Sequence, residues 1–406
     1  MHKITGKVKG TVLFYDERTA ILYDHDMVPI TQTRDYQRSK FGGAIGLYNI
    51  ASVQFGQFCN LRCTYCLQRT IGSVDSVHTP ERGTKIQQTV EYIRRTLDPC
   101  IPTKVDLWGG EPLFYWDDLK EVVTSLEPHG QMHFTVFTNG MALKEEHLAW
   151  FASRPSKFTV SLSHDGFGQA ARGKDVLDKV LDLFAHIIAP NIDYSIATTV
   201  SNTNHDLLAL NDLFMVALDR HGLRDRAKWI IEIPLVFSAK DAFDPKQLHK
   251  FTENLRAFLT ENERGNPRIL NNTLWSTFDL FGIFALLNRF NSKHIPGFYR
   301  CHLSYDNAVV VNTNGEVLLC PHSTSPTHVL GSVDGGQVKH KSEVIRTGYD
   351  PRCDGCLVRD FCRSSCPIIG GTFEDNHKVM WAYFSTLYEF AFKRLLMEDE
   401  VVIERV

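Results

Sequence analysis

The 406-residue chain predicts an α/β protein. A parallel sheet with helices packed on it is preceded by a short β-rich segment and followed by a cysteine-rich one. Two patterns carry that reading. Six apolar runs rich in β-branched and aromatic residues alternate with helix-period stretches: Ile50 to Phe55, Lys104 to Trp108, His133 to Phe137, Phe158 to Leu162, Tyr194 to Val200 and Trp229 to Val236. Alternating β and α elements imply parallel strands joined by right-handed crossovers. In addition, nine of the ten cysteines fall into two groups, residues 59–66 and 301–366. The composition, 43% hydrophobic and 22% charged, is that of an ordinary globular protein.

Four segments are expected. Residues 1–48 hold two strands, Gly10 to Tyr15 and Thr19 to Tyr23, joined by Asp16-Glu17-Arg18 as a hairpin. This segment is too short for a complete winged-helix module and reads as a cap on the next domain. Residues 49–240 hold the six β/α repeats. Their helical faces include Ile86, Val90, Ile93 and Leu97; Val176, Val180, Leu183 and Ile187; and Leu207, Leu210, Phe214 and Leu218. Residues 241–297 read as a bridge of two helices, Pro245 to Glu261 and Thr273 to Asn291. Residues 298–406 hold short strands, turns and cysteines, closed by a helix from Val379 to Met397.

The net charge of −3 does not imply nucleic acid, although it leaves room for a local basic groove. No apolar run approaches the ~20 residues of a membrane span, and Met1 to Gly6 lack the apolar core of a signal peptide. A cytoplasmic setting is expected, where cysteines serve as metal ligands rather than disulfides. Cys100, which stands alone, reads as a buried structural thiol.

The stretch with the most chemistry is Cys59-Asn60-Leu61-Arg62-Cys63-Thr64-Tyr65-Cys66, directly after the first apolar run. Three thiolates at C-x3-C-x2-C can converge on one inorganic group. A [4Fe–4S] cluster takes four ligands, so three leave one iron open to a substrate or cofactor. A zinc site is the other reading, although zinc knuckles prefer paired C-x2-C units. The loop, with Tyr65 before its third cysteine, resembles the signature of the radical S-adenosylmethionine (SAM) superfamily. That resemblance implies a partial (β/α)6 TIM-type barrel with its chemistry at the C-terminal strand ends. It also implies a [4Fe–4S] cluster on Cys59, Cys63 and Cys66 that binds SAM and cleaves it reductively to a 5′-deoxyadenosyl radical. Tyr65 would pack near the adenine.

Further motifs follow at the predicted strand ends. Trp108-Gly109-Gly110-Glu111 resembles the superfamily element that holds the SAM amino group, which assigns Gly109, Gly110 and Glu111 to SAM. Phe137-Thr138-Asn139-Gly140 is either a plain turn or, by resemblance, a stretch that brings Asn139 to the active site. Ser161-Leu162-Ser163-His164-Asp165-Gly166 fits the Ser-x-Asp-Gly of relatives, and Arg172 takes the place of an arginine that meets the SAM carboxylate. Strand alternation points Ser161 the same way as Ser163, so both serines are candidates. His164 reads as a substrate donor or proton carrier, or as a structural histidine. Thr198, Thr199 and Asn202, at the end of the fifth run, are candidates for the SAM ribose.

The second group is Cys301, then Gly315-x4-Cys320, then Cys353-x2-Cys356-x5-Cys362-x3-Cys366. It resembles the SPASM domain, which carries two auxiliary [4Fe–4S] clusters in a subgroup of radical SAM enzymes. By that resemblance Cys301, Cys320 and Cys366 serve an inner cluster, and Cys353, Cys356 and Cys362 an outer one. The family's seventh cysteine is absent, since no cysteine follows Cys366. A non-cysteine ligand (His302, His322, Asp354 or His377), an open iron, or a single auxiliary cluster are the alternatives. A radical SAM oxidoreductase or isomerase is expected, with a flavodoxin- or ferredoxin-type electron donor. Its substrate is a peptide or protein side chain, or else a small aminoacyl conjugate such as a modified nucleotide.

Overall fold

The computed structural model describes residues 1–17, 21–29, 49–68, 79–232, 242–274, 308–323, 326–339, 351–358, 362, 373–397 and 399–406. All six predicted barrel strands are present: β4 (Asn49–Gln54), β5 (Thr103–Trp108), β6 (Met132–Thr138), β7 (Lys157–Ser163), β8 (Ile192–Thr199) and β9 (Ala227–Glu232). They pair in sequence order and in parallel. The sixth apolar run continues to Val236, but its end lies outside the described residues.

Among the described residues, five crossover helices cover the sheet: α1 (Ile86–Thr96), α2 (Trp116–Leu126), α3 (Glu145–Ala152), α5 (Leu177–His186) and α6 (Leu207–Arg220), with a short helical turn α4 (Gln169–Arg172). The sequence reading named no face for α2 or α3. In α2, Asp117 and Asp118 occupy the first turn, where the helix dipole favours them. Leu119, Val122, Val123 and Leu126 recur at helical spacing and are buried. Asp206 caps α6 by accepting from the Ala209 amide. In β6, Phe134, Val136 and Thr138 are buried while Thr135 and Phe137 alternate with them. This period of two leaves a second, more polar face along the barrel interior.

The C-terminal segment is built onto that sheet. Strand β10 (Ala308–Asn312) pairs in parallel with β4, followed outward by β11 (Glu316–Leu318) and β12 (Val329–Ser332). Among the described residues one nine-stranded sheet therefore leads into both the 59–66 loop and Cys320, in the order β12-β11-β10-β4-β5-β6-β7-β8-β9. The predicted helix at 245 is α7 (Pro245–Glu263), started by a reciprocal Asp244–Gln247 capping box. Beyond residue 274, its expected partner lies outside the described residues.

The N-terminal hairpin forms as β2 (Val12–Asp16) and β3 (Ile21–Tyr23). Among the described residues it is not part of the barrel sheet. With β1 (His2–Gly6) and the last strand, β13 (Val401–Arg405), it makes a separate four-stranded sheet, β13-β1-β2-β3. Its apolar side lies on the C-terminal helix α8 (Phe373–Leu396). The Tyr15 and Tyr388 hydroxyls are 3.1 Å apart, and the Tyr15 ring meets Phe392 edge-on at 6.1 Å. Buried Ile4, Leu13 and Tyr15 offered α8 a ready apolar face.

Cys100 is a correction. It is exposed, in a turn between α1 and β5 where its amide bonds to Asp98 Oδ1 at 2.9 Å. Its short side chain has no core to fill there. Cys100→Ser should change unfolding free energy by no more than about 0.5 kcal/mol in urea titration.

Candidate functional site

The cysteine loop leaves β4 at the C-terminal edge of the parallel sheet, where the neighbouring strand ends hold it. Gly110 N donates to Gly56 O and Glu111 N to Phe58 O, each at 2.8 Å. These bonds need glycine: a Cβ on Gly110 would lie 2.2 Å from the Phe58 carbonyl oxygen. The Glu111 carboxylate is buried and engaged within the chain. It accepts from Thr138 Oγ1 at 2.7 Å, Asn139 N at 2.7 Å and Leu113 N at 3.3 Å. Burial pushes its pKa up to about 7, against the lowering effect of those donors.

Asn139 serves both of its readings. Its Oδ1 accepts from Met141 N at 2.9 Å in the turn, with Gly140 at a φ of 75°. Its Nδ2 reaches the cysteine loop, 2.8 Å from Asn60 Oδ1 and 3.7 Å from Cys59 Sγ. Cys59, Cys63 and Cys66 are all half-buried. Burial first, then the charges of Glu111 and the other two cysteines, push the Cys59 thiol up to about 12; burial brings Cys63 to about 11. Such thiols give up their protons to a cation that binds the thiolates.

Asp165 is the hub on the other side. It receives the Tyr65 hydroxyl on Oδ2, the Arg172 guanidinium on both oxygens at 3.3 and 3.4 Å, and Thr199 N on Oδ1 at 3.0 Å. The Arg172 guanidinium also lies over the Tyr65 ring, 5.6 Å from its centroid. Thr64 N bonds to Ala171 O at 2.9 Å, tying the cysteine loop to α4. Three of the predicted residues, Tyr65, Arg172 and Thr199, thus meet on Asp165, which was quoted in a motif but given no role. In this structure the anion facing Arg172 is Asp165.

Ser161 and its register partner Ser195 are buried, and their hydroxyls have no hydrogen-bond partner. Ser163 is half-buried at the end of the same strand. His164 is a correction to the catalytic expectation, because it sits one residue out of phase with Ser163. Its ring packs against Phe214 of the helix layer at 5.9 Å. Nδ1 accepts from Gly166 N at 3.1 Å, and Nε2 stands 2.9 Å from Asp175 Oδ1. Both nitrogens are used in holding the turn. Burial lowers its pKa below 6.5, with Asp175 opposing. The folded chain thus refuses a proton that the unfolded chain accepts, so stability falls as pH drops below about 6.5. In His164→Gln, urea midpoints measured between pH 7 and 5 should fall less steeply than in the parent.

Thr198 is structural too, bonded to His164 O and to the Trp229 indole at 2.9 Å each. Asn202 Nδ2 bonds to Ala242 O at 3.2 Å. Sequence reasoning passed over Glu232. It ends β9 in register with Thr199, whose hydroxyl donates to its carboxylate at 3.0 Å. The side chain is open to solvent, yet the surrounding protein raises its pKa, while Thr199 and Arg172 oppose this. A period-two count from Thr199 to its parallel neighbour was the available signal.

In the second group, Cys320 is buried after β11, and Gln54 of β4 binds the turn that follows it through Pro321 O and Ser323 O at 2.9 and 3.0 Å. His322 meets Trp108 edge-on at 5.0 Å. Cys356 N bonds to Cys353 O at 3.1 Å, and burial above all, with Cys362 and Cys353 adding to it, pushes the Cys356 thiol up to about 11. Cys301, Cys366 and His302 lie outside the described residues; His377 is on α8. Among the described residues, no three His, Cys, Asp or Glu side chains stand close enough to hold a single metal ion. The chemistry of the barrel loop's donor set, three half-buried thiols, suits a sulfur-ligated cluster, and the buried, partnerless Ser161 hydroxyl on β7 suits a polar cofactor.

A parallel sheet with a three-cysteine loop at its C-terminal edge defines a class of cluster-binding barrels. Within that class, residues 53–207 match the Radical SAM superfamily, and this part of the chain is a radical SAM domain. The chain is 21% identical over 347 residues to a cysteine-type anaerobic sulfatase-maturating enzyme of Clostridium novyi, covering 76% of this chain and 84% of that protein. It is 30% identical over 104 residues to a GTP 3′,8-cyclase of Staphylococcus carnosus, covering 26% of this chain and 31% of the cyclase. The chain therefore spans about a third of that relative's length. The structure of native anSMEcpe with bound AdoMet superposes with a TM-score of 0.62 at 19% identity, covering 86% of this chain and 98% of that one, and so shares the fold. A second structure of that protein holds AdoMet and the Kp18Cys peptide (TM-score 0.63, 20% identity, covering 86% of this chain and 98% of that one). Among the described residues, no helix is long and apolar enough to cross a membrane.

Proposed function

We propose that this chain is a radical SAM enzyme that modifies a side chain of a peptide or protein. The observation that carries this reading is the C-x3-C-x2-C loop framed by Gly109–Glu111 on one side and by Tyr65, Asp165 and Arg172 on the other. Cys59, Cys63 and Cys66 hold a [4Fe–4S] cluster with one iron left for SAM. When bound, that cluster would supply the electron for reductive cleavage of SAM, the radical chemistry by which a substrate C–H would lose hydrogen. The chain's own residues orient and shield. The backbone at Gly109 and Gly110 approaches the ligand closely, and Asn139 steadies Cys59. Arg172, Ser161, Ser163 and Thr199 offer polar contacts to SAM, and Tyr65 covers the adenine.

We assign the barrel to residues 49–240 and the auxiliary-cluster segment to 298–406, with one or two further [4Fe–4S] clusters on its cysteines. A flavodoxin- or ferredoxin-type donor supplies the electron. A reducing cytoplasmic setting suits cysteines that serve as metal ligands. Support for a peptide substrate comes from breadth: the sulfatase-maturating relative matches 76% of this chain, whereas two GTP 3′,8-cyclases match 26% and 44%. The test uses anaerobically reconstituted protein, SAM, reductant and deuterated host extract separated into peptide and small-molecule fractions. Deuterium should appear in 5′-deoxyadenosine from the peptide fraction. Label arising only from small molecules would reverse the reading in favour of a small aminoacyl conjugate.

A further inference from the structure

Among the described residues at the mouth of the barrel, Glu232 is the carboxylate that no cation pairs. We propose that Glu232 binds a positively charged group of the substrate, an ammonium or a guanidinium. This rests on the reading of the barrel as the site of SAM-dependent chemistry, and adds a charge requirement to it.

Strand phase sets the direction of Glu232. On β9 the Trp229 ring meets Phe214 of α6 and Phe258 of α7 edge-on, each at 5.6 Å. Side chains alternate along a strand, so Glu232, an odd number of residues further on, lies on the opposite face, toward the barrel interior. On β8 the Tyr194 ring stacks on Phe184 of α5 at 4.0 Å, which sends Thr199 to the same interior face. The two residues are in register, and the Thr199 hydroxyl donates to Glu232 Oε2 at 3.0 Å. Among the described residues this is the one hydrogen bond that the carboxylate receives.

The other charges of the mouth are already matched. Asp165 holds the Arg172 guanidinium on both oxygens and takes Thr199 N as well. Glu111 accepts from Thr138, Asn139 and Leu113. Arg172 acts on Glu232 only at longer range, and Asp165 opposes it. The Glu232 side chain is exposed, so a ligand can reach it. The surrounding protein nevertheless removes enough water to raise its pKa. A carboxylate in that position gains free energy when a cation arrives, because the attraction is weakly screened there. The amino group of SAM is assigned elsewhere, to Gly109–Glu111 after β5. Strand β9 lies four strands further along the sheet, a path of about 19 Å at roughly 4.8 Å per strand.

The experiment uses the full chain, reconstituted anaerobically, with SAM and reductant. Deuterated host extract is divided into peptide and small-molecule fractions. Each is split on a cation exchanger at neutral pH into a retained and an unretained pool. Deuterium should enter 5′-deoxyadenosine mainly from a retained pool. Glu232→Gln keeps an oxygen for the Thr199 hydroxyl and should cut that label about tenfold, the size of a lost charge-assisted hydrogen bond. An approximately tenfold more concentrated pool should restore most of it, as expected when binding rather than chemistry is weakened. SAM affinity, read by equilibrium dialysis, should stay within about twofold of the parent. Label arising mainly from unretained pools, or undiminished label in Glu232→Gln, overturns the assignment. So does an equal loss of SAM affinity, which would make SAM itself the ligand of the carboxylate. The peptide or small-molecule origin of the label decides the substrate class separately, since the charge split is read in both fractions.

Discussion

Replacing Cys59, Cys63 and Cys66 together by alanine should abolish SAM cleavage, down to the background of reductant alone, and remove about four iron atoms per chain. The cofactor carries the difficult chemistry, so no residual route through the protein remains. The fold should survive. All three side chains are half-buried on a loop, and the bonds that fix the loop run through the backbone of Gly56, Phe58 and Thr64. Circular dichroism should be unchanged, and the iron on the second cysteine group should persist. A fully cleaving variant would refute the site; iron lost from both groups would show that the loop organises the whole chain.

Asp165→Ala should cost about 3–5 kcal/mol of unfolding free energy, the range for leaving a buried charge without its partner. The Asp165 side chain is 1% exposed and that of Arg172 12%, so water does little to replace the lost carboxylate. The Tyr65 hydroxyl and Thr199 amide lose their acceptor as well. The double variant Asp165→Ala, Arg172→Met should recover at least half of the loss, because the unpaired charge is gone. Urea unfolding of the parent, both single variants and the double variant checks this. Strictly additive losses would show that the pair is not coupled. SAM affinity should fall in every variant of the set, since Tyr65 and α4 are positioned through Asp165.

Much of this was legible in the residues. The six strand runs match β4 to β9 because a strand buried against helices needs continuous β-branched and aromatic side chains, and those are local choices. The spacing of Cys59, Cys63 and Cys66 is chemistry written directly into the chain. His164 shows where such reading ends. Its motif position suggested the cavity, but strand phase put Ser163 toward the barrel and His164 against Phe214. Asp165 was visible as a letter in a motif, yet its role as hub depends on Tyr65 from a hundred residues earlier. Cys100 was read as buried from its residue type alone, and the turn around Asp98 left it on the surface.

The sequence by itself determined the alternating architecture, the open three-cysteine loop and the radical SAM family, because periodicity, β-propensity and ligand spacing are properties of neighbouring residues. Only the tertiary structure decided that β10 extends the barrel sheet beside β4, that β1 pairs with β13, and that Arg405 closes over Gly355 of the Cys353–Cys356 loop. These are pairings between segments up to the full chain length apart. No local propensity encodes them; they follow from which exposed sheet edge and which apolar helix face remain to be covered once the barrel has formed.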